Sequence, residues 1–98
     1  LTQKKGRLIL FDMKEFERIL KALANRRRLE IVRHLKKNKE ANVGAIAEAI
    51  KLSIKSTSRH ISVLSSADTL EKEQRGTLVF YRLSGVLPKI AKAIIALI

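Results

Sequence analysis

The sequence predicts a mainly α fold with a small β-hairpin, in the order α-α-α-α-β-β-α. Three observations carry that expectation. Two short amphipathic stretches, Val43–Ile50 and Ile54–Leu64, are separated only by a tight turn at Lys51-Leu52. A hairpin follows at once, with strands Leu70–Gln74 and Thr77–Leu83 turning at Arg75-Gly76. The formal charge is +12 over 98 residues, and a polyanion would relieve that self-repulsion. Two helices across a tight turn, a hairpin behind them and a strong positive charge describe a winged helix-turn-helix.

Each element has its own signals. Residues 1–7 read as a loose basic arm, and Leu8-Ile9-Leu10-Phe11 is an apolar run of ambiguous periodicity. Asp12 is a helix cap with Glu15 as its capping-box partner. Phe16, Ile19, Leu20 and Leu23 follow at helical spacing, ending near Ala24. Asn25 caps a second helix, Arg26–Lys37, whose apolar set is Leu29, Ile31, Val32 and Leu35. Arg26-Arg27-Arg28 oppose the dipole at its N-terminus, as exposed cations or as partners of a nearby phosphate. Asn42 caps the third helix, which turns Val43, Ile46, Ala47 and Ile50 inward. Ser53 caps the fourth. Gly76 supplies the positive φ of a tight hairpin. Ser84 is expected to cap a last helix with Pro88 in its first turn. Its end, Ile90–Ile98, is apolar on nearly all sides, so it calls for burial against a second copy.

On a wheel of about 100° per residue, Thr57, Ile61 and Leu64 of the fourth helix fall together. Lys55, Arg59, Ser62 and Ser66 fall opposite, with Ser56 and Ser58 on the flanks. Arginine can bond guanine O6 and N7 in pairs, and lysine and serine suit phosphates or base edges. The candidate DNA contacts on this helix are therefore Lys55, Ser56, Ser58, Arg59 and Ser62. On the hairpin they are Lys72 and Arg75, placed at or near the tip, and Thr77. Arg82 alternates with the inward set and is read as the partner of an acid. His60 falls on the flank of the apolar side and is read as a hydrogen-bonded, partly buried residue. His34 has no ligand-type neighbour at useful spacing.

The chain has no cysteine, no clustered carboxylate pair and no glycine-rich phosphate loop, so an enzyme is not expected. No cofactor is implied. The longest apolar segment, Val86–Ile98, is 13 residues, short of the roughly 20 a bilayer span needs. The expectation is a single cytoplasmic domain over 1–98 with no membrane partner.

The motifs resemble the ArsR/SmtB family of winged-helix repressors over roughly residues 15 to 83. Leu20-Lys21-Ala22-Leu23-Ala24-Asn25 with Arg28-Leu29-Glu30-Ile31 is similar to its "KALADPTRLRIL" segment. Leu52-Ser53 with Ser58-Arg59-His60-Ile61-Ser62-Val63-Leu64 looks like its "LS…SRHLKVL" recognition helix. Gly76–Leu83 looks like its "GRWVYYRL" wing. The resemblance implies a homodimer joined by first and last helices, here 12–24 and 86–98. It also implies operator binding by paired recognition helices, and repression relieved by an inducer, which the residues do not name. The chain departs from the pattern at the metal sites. Asn42 and Gly44 stand where metal-sensing members carry cysteines, and Val86–Ile98 has neither Asp nor His. Asp68 and Thr69 replace the Gly and Leu of the family's "AGLV" turn, so the start of the wing is the junction to check.

The leading expectation is a sequence-specific double-stranded DNA-binding regulator, homodimeric and repressing. A non-sequence-specific basic binder of DNA or RNA, and a winged-helix protein-interaction module, stand beside it.

Overall fold

The computed structural model describes residues 12–98. The basic arm and the apolar run expected before Asp12 lie outside the described residues. Helix α1 covers Met13–Leu23, α2 Arg26–Asn38, α3 Val43–Ile50, α4 Ile54–Ser66 and α5 Lys89–Ala96. Strand β1 is Ala41–Asn42, β2 is Leu70–Arg75 and β3 is Leu78–Leu83. The sheet is antiparallel in the order β1-β3-β2, with Leu70 opposite Leu83 and Arg75 opposite Leu78. The core runs through every helix, from Ile19 and Leu23 through Ile31 and Leu35 to Leu64 and Ile95.

The caps of the first four helices follow the sequence, apart from the capping box. Asp12 accepts from the Lys14 amide at 3.0 Å, Asn25 from Arg28 at 3.1 Å and Asn42 from Ala45 at 2.9 Å. Ser53 accepts from Ser56 at 3.1 Å. Glu15, expected to close a capping box, is instead held by Arg18, which also reaches Asp68 at 2.9 Å and the Ser66 carbonyl. Arg18 thereby ties α1 to the C-terminus of α4.

Three boundaries differ from the expectation. β1 was not foreseen; two residues are too few for a periodic signal, and only pairing of Ala41 with Tyr81 and Asn42 with Phe80 defines the strand. Thr77 lies in the two-residue turn with Gly76 (φ 63°), and Arg75 is the last strand residue. The last helix begins at Lys89, not after Ser84, with Pro88 as its N-cap and no side-chain cap bond. A residue before proline is pushed out of the helical region, which excludes Leu87 from the helix. Ser84 Oγ caps a turn instead, accepting from the Val86 amide at 3.1 Å.

The junction after α4 is regular. Asp68 takes a left-handed φ of 58°, which Asp tolerates better than most residues. Thr69 is fully buried, its hydroxyl donating to the Ala67 carbonyl at 3.3 Å. A buried threonine with a local partner thus occupies an apolar site without disturbing the wing register.

Thr57 is the contrary case. It is fully buried on the inward face of α4, and its hydroxyl has no hydrogen-bond partner among the described residues. An unpaired buried hydroxyl costs about 1–3 kcal/mol. Thr57→Val keeps the shape and removes the polar atom. It is expected to raise unfolding free energy by roughly 1 kcal/mol, measured by urea denaturation. A loss of stability would mean that the hydroxyl is satisfied in solution.

Candidate nucleic-acid interface

Helix α4 is anchored by Thr57, Ile61 and Leu64, all buried. That anchoring turns the opposite side to solvent, where Lys55, Ser58, Arg59 and Ser62 are exposed and Ser56 is half-buried. Neither Lys55 nor Arg59 makes an ion pair or a side-chain hydrogen bond among the described residues. Their charges are available to a ligand without breaking an existing contact.

His60 sits beside this face. Arg28 approaches its Nδ1 at 3.2 Å. Arginine can only donate, so Nδ1 accepts and the neutral ring carries its proton on Nε2. Burial first, then the nearby Arg28 and Arg27, hold the His60 pKa below its usual value. The same Arg28 guanidinium donates to the carbonyls of Ala22 and Lys21 at the end of α1. Arg27 donates to the Ile50 carbonyl at the end of α3 and meets Glu30 at 3.3 Å. These arginines oppose their own helix dipole because they cap the carbonyl ends of two neighbours. That role needs no phosphate.

The wing carries two chemically distinct faces. One presents Glu71, Glu73 and Arg75 of β2 against Arg82, Phe80 and Leu78 of β3. Arg75 bonds Glu40 at 2.6 and 2.8 Å and Glu73 at 3.1 Å, with its guanidinium carbon 4.5 Å from the Phe80 ring centre. Arg82 meets Glu71 at 2.9 Å and Glu73 at 3.0 Å, the acid partner expected for it. Glu71 also accepts from the Gly85 amide at 3.0 Å. Arg75 is near the tip as expected, but its guanidinium is committed to bracing the wing against Glu40.

Between two arginines, Glu73 is held at a pKa of about 2, chiefly by its bond to Arg75 and then by that to Arg82. A depressed carboxylate pKa contributes stability above the ordinary value near 4.5, and that contribution is lost as pH falls through about 2. The Glu73 carboxyl carbon is therefore expected to titrate near pH 2 by NMR. A midpoint near 4.5 would mean that the network is open in solution.

The other wing face turns toward α4. Lys72 pairs with Tyr81 in mid-strand, away from the tip where the sequence put it. It lines a groove of about 360 Å³ with Ser62, Ser65, Ser66 and Tyr81. Lys72 has no ion pair among the described residues. The sequence reading missed Ser65 and Tyr81, because the groove needs α4 and β2 brought together. The recurrence Ser58, Ser62, Ser65 at helical spacing was the available signal. Thr77 is exposed at the tip. A second cleft of about 660 Å³, between α2 and α3, is lined by Arg33, Lys37 and Lys51 among others.

Asn42 is occupied as the cap of α3, and Gly44 has no side chain to offer. Among the described residues, no group of three or more His, Cys, Asp or Glu gathers as a metal site.

Residues 23–73 match a helix-turn-helix domain family. The chain is 31% identical to the arsenical resistance operon repressor of Bacillus subtilis, over 74% of this chain and 69% of that protein. The chain belongs to the ArsR/SmtB family of winged helix-turn-helix transcriptional repressors. It is 38% identical to an HTH-type transcriptional regulator of Mycobacterium tuberculosis, over 69% of this chain but only 30% of that protein. The fold superposes with a TM-score of 0.76 and 33% identity on a solved domain from Mycobacterium bovis, covering 87% of this chain and 75% of that one. That domain is described as the homodimeric winged helix-turn-helix DNA-binding domain of a possible ArsR-family transcriptional regulator. As an ArsR-type family member, the present chain is a DNA-binding transcriptional regulator of repressor type.

Proposed function

We propose that this ArsR-type chain represses transcription as a homodimer that reads a pseudo-palindromic operator in the cytoplasm, without enzymatic activity. The observation that carries the reading is the pair Lys55 and Arg59, exposed on the outer face of α4 and unpartnered among the described residues. An α-helix fits the major groove, and residues toward its N-terminal end reach base edges. Arg59 serves as the base reader, and Lys55, Ser56, Ser58 and Ser62 contact bases or phosphates around it. Lys72 and Thr77 take the flanking backbone, while Arg75 shapes the wing that presents them.

The dimer is joined through α1 and α5, which pack on each other. Together they expose Met13, Leu20 and Leu97 at 74%, 38% and 85% of their surface. An apolar groove of about 290 Å³ on α1, lined by Met13, Phe16, Leu20 and Ala24, receives the second copy. Helix α5 buries Ala91 and Ile95 but leaves Ala93 and Ala96 outward, with Leu97 exposed just past its end, so apolar surface remains there for a partner.

The test is selection of bound duplexes from a random pool. A symmetric enriched motif with half-sites about one helical turn or a multiple apart is the expected result. An unenriched pool would favour the non-specific basic binder. Salt weakens both kinds of binding, but only an operator reader keeps a large preference for one duplex.

A further inference from the structure

Ile54 is the first residue of α4 and is 57% exposed. A lone exposed isoleucine elsewhere on a surface needs no account. This one is at the N-terminal end of the recognition helix, the part that enters the groove. It stands four residues before Ser58 and eight before Ser62, so the three side chains form one ridge along the helix. Ser58 and Ser62 are both exposed, and both can trade hydrogen bonds with DNA. Ile54 can trade none. Its polar neighbours on the helix, Lys55 and Arg59, are cations directed at phosphates or guanine.

The major groove offers one apolar feature, the C5 methyl group of thymine. An exposed β-branched side chain at the leading end of the helix gains from covering that methyl and loses nothing in hydrogen bonding. We propose that Ile54 reads a thymine methyl in each half-site, which makes it a specificity-determining residue beside Arg59. The inference rests on the operator reading above and adds a base preference to it.

The test uses the duplex enriched by selection. Each thymine is replaced in turn by deoxyuridine, which removes only the methyl group, and affinity is measured for the intact chain and for Ile54→Ala. One symmetric thymine position is expected to lose about three- to five-fold in affinity per half-site on demethylation, the worth of one buried methyl. In Ile54→Ala that position should become indifferent to demethylation, while the effect of Arg59 substitution persists. The deoxyuridine scan of the unsubstituted chain stands whether or not the variant is stable. A duplex that is enriched but insensitive to demethylation everywhere would overturn the inference and leave operator reading intact. So would an equal penalty in the intact chain and in Ile54→Ala. Failure to enrich any duplex would overturn the operator reading, and this inference with it.

Discussion

Arg59→Ala is expected to cost about 1–3 kcal/mol of discrimination, a roughly five- to 150-fold loss of preference for the selected duplex over random DNA. The size follows from the setting of the side chain. Arg59 is exposed, faces away from the Thr57–Ile61–Leu64 anchor and has no ion pair among the described residues to give up. Its planar fork can engage guanine O6 and N7 together, which a single ammonium cannot. Arg59→Lys should therefore keep most of the non-specific affinity and little of the preference. The measurement is the dissociation constant on both duplexes at one fixed salt concentration. Equal losses on the two would assign Arg59 to the phosphate backbone and reject base reading.

Leu64→Ala is expected to lower the unfolding free energy by about 2–5 kcal/mol. Leu64 is fully inaccessible, and its carbonyl accepts from the amides of Ala67 and Thr69 at 3.2 and 3.1 Å. The side chain fixes the rotation of α4, and the carbonyl begins the turn into the wing. Truncation leaves a cavity under the recognition helix that its neighbours only partly fill. Against a typical total of about 5–15 kcal/mol, this is a large share. Urea unfolding at a fixed protein concentration measures it, since dimerisation links stability to concentration. A change below about 1 kcal/mol would mean that α4 is seated on the core by other residues. The DNA-facing residues are untouched, so the folded fraction should keep its preference for the operator.

These two substitutions fall on opposite sides of one helix, and the wheel drawn from sequence separated them correctly. Period alone placed Thr57, Ile61 and Leu64 inward and Lys55, Arg59 and Ser62 outward. The caps at Asp12, Asn25, Asn42 and Ser53 were equally legible, because a cap is a contact between residues two or three apart. Local chemistry suffices there.

The wing was legible in part. β-branched and aromatic residues announced β3, and Gly76 announced the turn. The exact strand ends shifted, because the register is set across the hairpin by the pairs Leu70–Leu83 to Arg75–Leu78. The role of Arg75 was not legible. Its cation reads like a DNA contact until Glu40, 35 positions away in the chain, is brought to 2.6 Å. Arg27 and Arg28 pose the same problem. Their fit at a helix N-terminus becomes intelligible only when the ends of α1 and α3 arrive beside them.

By itself the sequence determined the order of the five helices and the hairpin, the inward and outward faces of the recognition helix and the charge that calls for a polyanion, while the family came from motif resemblance. The first three follow from periodicity, composition and short-range spacing, which the chain carries in every conformation. The tertiary structure alone decided which cations are free. Arg18, Arg27, Arg28, Arg75 and Arg82 are taken up by carbonyls and carboxylates from other elements, whereas Lys55, Arg59 and Lys72 are left unpaired among the described residues. A charge is available to DNA only if folding brings it no closer partner, and that depends on contacts between residues distant in the chain.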